Sequence, residues 1–118
     1  MKKIYKLNFY GETYNIGLAK GKYVSNGKFA VLMFITTPNG KIKEDFGDLT
    51  INIDDSDIMA NDSDTQFIDT NNLGNEITKW LEKENIAKPT HFIGYSGFCS
   101  YPLYKFTQEA LEGMGTLE

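Results

Sequence analysis

The chain has 118 residues, 41% of them hydrophobic and 24% charged, with a net charge of −4. This is the length and apolar content of one domain with its own core, which excludes a disordered chain and a stapled miniprotein. A lone cysteine closes no internal disulfide, the absence of arginine weighs against bidentate reading of guanine or phosphate, and no stretch approaches a membrane span.

Lys6 and Asn8 interrupt the opening MKKIYKLNFYGE where a signal peptide needs its apolar centre, so no export signal is expected and the expected location is cytoplasmic. Tyr5-Lys6-Leu7-Asn8-Phe9 alternates apolar and polar, the period of a half-buried strand. Gly11-Glu12 reads as a two-residue turn into a second strand with Tyr14, Ile16 and Leu18 on one face. Asn26-Gly27 and Asn39-Gly40 mark two further hairpin turns. Between them KFAVLMFITT is apolar on both faces, which predicts a central strand covered on both sides, the second cover being the C-terminal segment or a partner subunit. Leu49 to Ile53 reads as the fourth strand, with Leu49, Ile51 and Ile53 inward; KIKEDFGD before it is poorly patterned, and Gly47 marks a bulge.

From Asp54 to Gln66 the composition turns to Asp, Ser, Asn and Thr, which predicts a mobile loop. Asn71-Asn72 then offer helix N-caps, and Leu73, Ile77, Trp80 and Leu81 recur at helical spacing to about Glu84. Asn85 suits a left-handed stop with Ile86 folding back on the last turn. Phe92 to Tyr95 and Tyr101 to Phe106 read as two short strands, with Pro102 placing the second at an edge or near a strand start, and Thr107 to Leu111 as one more helical turn. Charge is segregated along the chain: residues 1–43 hold eight lysines and one acid, residues 44–69 nine acids and no base. The simplest arrangement is a basic sheet face beside an acidic loop.

The segments FIDTNN (Phe67–Asn72), NIAKPT (Asn85–Thr90) and SGFCSYPLYKF (Ser96–Phe106) resemble a family of small uncharacterised bacterial proteins, a domain of unknown function found mostly in phage and conjugative elements. Leu73-Gly74 stand where the family pattern has proline and tryptophan, and Asn85 stands for its glycine. The resemblance implies an accessory protein of a mobile element and carries over no catalytic residue.

Cys99 would be a nucleophile if His91, the lone histidine, activated it across paired strands. Phe98, Tyr101 and Leu103 around it predict instead a strand feeding the core, where cysteine acts as a small hydrophobe. The acidic clusters DDSD and NDSD fail as calcium loops, because a register from Asp55 puts Met59 on a ligand position and one from Asp62 puts Phe67 where glycine is required. No metal and no cofactor is expected. GETYNIG lacks the glycine spacing and lysine of a phosphate loop. Tyrosines and lysines of the N-terminal strands leave weak single-stranded nucleic-acid binding as an alternative, against sequence-specific recognition.

These readings converge on an α+β fold for residues 1–116, an antiparallel β-meander of about five or six strands with one main amphipathic helix on a face. Leu117-Glu118 read as a cloning remnant. The expected function is a non-catalytic protein-interaction module with an unidentified protein partner, no membrane and room for a homodimer; a small thiol enzyme using Cys99 and His91 is the alternative. The expected contact residues are Tyr101 and Tyr104 beside the C-terminal turn and Asp69, Asn71 and Asn72 of FIDTNN.

Overall fold

In the computed structural model, which describes residues 2–53 and 63–116, the first half of the chain folds into an antiparallel meander. Its strands β1 (Ile4–Phe9), β2 (Glu12–Lys22), β3 (Phe29–Thr36) and β4 (Ile42–Asp48) lie in chain order. The first turn is Tyr10-Gly11 rather than Gly11-Glu12, since Phe9 already pairs with Glu12. Both turn residues have positive φ, 50° and 83°, which a two-residue turn matched to the strand twist requires. Gly27 and Gly40 take positive φ in the next two turns, as their Asn-Gly pairs predict.

The fourth strand corrects the expectation. It is the unpatterned stretch Ile42–Asp48, not Leu49–Ile53. β4 is an edge strand with most side chains in solvent, so no buried face imposes an alternation on its sequence. The bulge at Gly47 is present: Met33 faces Gly47 and Phe34 faces Asp45, leaving Phe46 as the extra residue.

After Leu49 the chain crosses to a second antiparallel sheet, formed by β5 (Thr50–Ile51), β6 (Thr65–Ile68), β7 (Ala87–Ser96) and β8 (Cys99–Phe106) in the order β5-β6-β8-β7. The crossing is fixed at Val31, whose carbonyl accepts from Leu49 N–H and whose N–H donates to Thr50 Oγ1 at 3.0 Å. Gln66, fully buried, ties the sheets again by donating to the Phe29 carbonyl at 2.8 Å. Two sheets therefore replace the expected single meander. Residues 54–62 of the expected loop, with Ile58 and Met59, lie outside the described residues. Thr65 and Gln66 do not belong to a loop; they open β6 and are buried.

The expected single helix is broken into pieces. Thr70–Leu73 forms a one-turn helix α1, and Gly74, at φ 83°, separates it from α2 (Glu76–Lys83). The cap of α1 is Asp69, which accepts from Asn72 N–H, while Asn71 and Asn72 sit inside the turn they were expected to cap. Leu73 falls in α1, but Ile77, Trp80 and Leu81 form the buried stripe of α2 as their spacing predicts. Asn85 takes φ 56° and Ile86 N–H bonds back to Leu81 O at 2.8 Å. Thr107 caps a third helix, α3 (Gln108–Gly113), and β9 (Gly115–Thr116) runs parallel to β2 just past the end of β1.

The main core lies where the inner face of the first sheet meets α2, α3 and one face of the second sheet. Tyr5, Ile16, Leu18 and Met33 meet Ile77, Trp80 and Leu81 there, and Phe29 packs edge-on against Phe106 with ring centres 5.5 Å apart. The other face of β3 is not covered as expected: Leu32 and Phe34 are half-exposed, opposite the small residues Ala19 and Gly17. A second, smaller core of Ile53, Phe67, Tyr101 and Leu103 occupies the far face of the second sheet, so Leu49 and Ile53 do not share one interior. Among the described residues no helix is long and apolar enough to cross a membrane.

Candidate functional site

β7 and β8 form a hairpin that outruns the core beneath it. At its base Ala87 pairs with Phe106, and Ala87, Tyr104 and Phe106 are buried in the main core. Side chains two residues apart share a face, so Ser100 and Pro102 continue the face of Tyr104 and Phe106. Their partners Tyr95 and Ile93 continue it too. Neither α2 nor the first sheet follows it that far: Tyr95 is 67% exposed, Ile93 56%, and Phe98 at the tip is fully bare. Phe92, one residue before Ile93 and so on the other face with Gly94, is about half exposed.

The opposite face of this far half is anchored. Cys99 and Tyr101 line up with Leu103 and pack with Phe67 and Ile53 in the second core. Gly94 belongs to this face, where a Cβ would meet the Phe67 ring at 2.6 Å; glycine is therefore what lets the hairpin lie against that ring. The hairpin thus carries an apolar surface that is packed from behind and bare in front.

The outer side of β7 is a sheet edge, and no described strand pairs with it. Its first half is spoiled for pairing. Pro89 has no N–H, and the register shifts between Pro89 and Ile93, with His91 held at φ 71° in the resulting bulge. The second half, from Ile93 to Ser96, pairs in regular register and ends in the turn at Gly97-Phe98. From Pro89 to Tyr104 there is no Asp, Glu, Lys or Arg.

A concavity of about 520 Å³ opens beside β4 and α1. Phe9, Tyr14 and Phe46 form its aromatic floor, with ring centres 5.2 and 5.4 Å apart, and Glu44, Asp45 and Asp48 stand on its rim. Among the described residues no three His, Cys, Asp or Glu side chains converge to hold a metal ion.

The five expected contact residues do not form one site. Tyr101 and Tyr104 point to opposite faces of β8 and both are buried, not exposed beside the turn. Tyr104 donates to Glu82 Oε2 at 2.7 Å, and burial, reinforced by that bond, pushes its phenol up to about 12. The Tyr101 phenol is pushed up by burial and then by its hydrogen bond with Cys99. Asp69 is buried and turned toward Asn72, accepting from its backbone at 3.3 Å and its side chain at 2.8 Å. Asp69 and Asn72 border the aromatic cleft, and Asn71 is exposed.

Cys99 is half-exposed at the margin of the second core rather than enclosed. It faces Ser96 across the hairpin, whereas His91 lies five residues further along β7, about 15 Å at strand spacing. No hydrogen bond joins the two among the described residues, so they do not form a nucleophile–base pair. The aromatic residues of β1, β2 and the turn between them also fail to make a stacking platform: Tyr5 is buried and Phe9 and Tyr14 are half-buried over the cleft, leaving Tyr10 of the turn as the one of these in solvent.

Sequence reasoning missed Phe92, Ile93, Tyr95 and Phe98 because apolar strand residues read as core. The available signal was the uncharged run that holds them, longer than a single buried strand needs.

Residues 17–115 match a family model described as Domain of unknown function (DUF4313). No curated protein and no solved structure matches the chain.

Proposed function

We propose that this chain, which belongs to that family of unknown function, is a non-catalytic protein-interaction module that makes contact through the far half of the β7–β8 hairpin. The observation that supports this reading is the bare face of Ile93, Tyr95 and Phe98 on a hairpin anchored from behind by Phe67. Large aromatic residues on an uncharged, pre-organised surface are the groups that dominate binding energy when a partner covers them. The proposed setting is that of a cytoplasmic accessory protein of a phage or conjugative element acting on a protein of the element or its host, which rests on the resemblance of FIDTNN and SGFCSYPLYKF. The separation of Cys99 from His91 argues against the thiol-enzyme alternative.

The test compares the parent with Tyr95→Ser and Phe98→Ser in cross-linked capture from the native cell, quantified partner by partner. Both side chains are exposed, so each variant is expected to keep its fold within about 0.5 kcal/mol. A buried aromatic anchor contributes about 2 kcal/mol, so each should weaken partner capture roughly thirtyfold. Capture of the same partners at the same yield by both variants would refute the hairpin as the contact surface.

A further inference from the structure

We infer that the occupant of the bare hairpin is a second copy of this chain, paired edge to edge through β7 about a two-fold axis. This inference rests on the hairpin being a contact surface and names what sits on it. Three features favour a copy of the same chain.

The first is the shape of the free edge. Pro89 and the irregular stretch up to Ile93 close its first half, so the regular stretch left for pairing is Ile93–Ser96, in which Gly94 bonds toward β8 and Ile93 and Tyr95 turn their backbone groups to the free edge. Antiparallel pairing of this stretch with itself about Gly94 sets Ile93 of each copy opposite Tyr95 of the other, on one face. Cross-strand pairs of an aromatic with a β-branched residue are among the favourable ones. The second copy also satisfies the backbone N–H and C=O groups of that edge, and the two four-stranded sheets become one.

The second is charge. The whole chain carries −4, yet Pro89 to Tyr104 holds no charged side chain. Self-pairing therefore brings no like charges together at its centre, and an ionic partner would find nothing there to recognise.

The third is area. Large apolar side chains carry about 150–250 Å² each, so at their exposure in this fold Phe92, Ile93, Tyr95 and Phe98 bare roughly 600 Å². With the backbone edge and the neighbouring Thr90 and Ser100, this approaches the roughly 800 Å² per partner of a standard stable interface.

The experiment is sedimentation equilibrium of the full chain over a wide concentration range, for the parent, Ile93→Lys, Tyr95→Glu, an equimolar mixture of these two, and Val24→Lys. Val24 is fully exposed in the distant β2–β3 turn. The expected result is a concentration-dependent dimer, weakened at least thirtyfold by Ile93→Lys and by Tyr95→Glu and unchanged by Val24→Lys. The mixture should recover dimer, because a two-fold pairing places the new lysine opposite the new glutamate and leaves one native Ile93–Tyr95 pair. Far-UV circular dichroism accompanies each variant, and if one fails to fold the other serves in its place. A parent that stays monomeric at all concentrations would overturn the inference, while Tyr95→Ser and Phe98→Ser would still decide the hairpin reading by their capture of partners. A dimer indifferent to both charged variants would also overturn it, since the association would then use another surface.

Discussion

Replacing Trp80 by alanine tests whether the fold is held where the core geometry places its weight. Trp80 lies on the buried stripe of α2 with 8% of its surface exposed, edge-on to Tyr5 at 6.0 Å between ring centres, and its indole N–H donates to the Lys6 carbonyl at 2.9 Å. It thereby clamps α2 to β1. Truncation of a large buried aromatic costs about 3–5 kcal/mol, and the hydrogen bond to Lys6 adds about 1 kcal/mol. A domain of this length has a total stability on the order of 5–15 kcal/mol, so Trp80→Ala should leave it marginal. Trp80→Phe keeps much of the ring packing and loses the donor, so about 1–2 kcal/mol is expected. Guanidinium unfolding is followed by far-UV circular dichroism, because the chain has a single tryptophan and the variants lose its fluorescence. An alanine variant that unfolds at the parent midpoint with an unchanged slope would refute the packing of α2 on β1.

Two further outcomes follow from the second sheet. The Tyr104 phenol is pushed from 10.0 up to about 12, so between these values the folded chain keeps a proton that the unfolded chain has released. Its contribution is intact below about pH 10 and is lost as pH rises through about 12, with a ceiling of about 3 kcal/mol; urea midpoints measured across that window should fall more steeply for the parent than for Tyr104→Phe, and parallel curves would refute the assignment. Gly94→Ala should cost about 1–3 kcal/mol, because its Cβ would stand 2.6 Å from the Phe67 ring and must displace it; thermal melts showing no loss would mean the hairpin does not lie against that ring.

What the sequence made legible was whatever local chemistry decides. Tyr5-Lys6-Leu7-Asn8-Phe9 became β1 with Tyr5 and Leu7 inward, because one face of that strand meets the core and the other meets water. Asn26-Gly27 and Asn39-Gly40 became turns because their glycines take the positive φ such turns need. Asn85 and Ile86 closed α2 for the same kind of reason. The failures lie where a partner far along the chain decides. Ile42–Asp48 carries little strand pattern and pairs because β3 offers it an edge. Leu49 and Ile51 alternate as neighbours in one strand should, yet the chain changes sheets between them, held by hydrogen bonds to Val31. Leu73 fits the helical period, but Gly74 breaks the helix and Asp69 captures the turn before it.

The proposed contact surface was hidden by a deeper ambiguity, because a core and an interface draw on the same residues. Ser100, Pro102, Tyr104 and Phe106 share one face of β8, and nothing in their sequence marks where burial ends. Along that face Phe106 and Tyr104 are buried, Pro102 is half-exposed and Ser100 is exposed. The transition is set by neighbours. The pairs with β6 stop at Leu103, and Tyr104, which bonds to Glu82 on α2, is the last buried residue of that face toward the tip. Beyond those limits β8 keeps a neighbour on one side, and this is where Pro102 falls, at a locally free edge of a strand that is central lower down. Tyr104 and Tyr95, two tyrosines on one face of one hairpin, thus receive opposite fates: one is sealed under α2, and the other is carried past it into solvent. The length of the hairpin relative to α2, which no local pattern encodes, is what leaves core-forming residues in solvent.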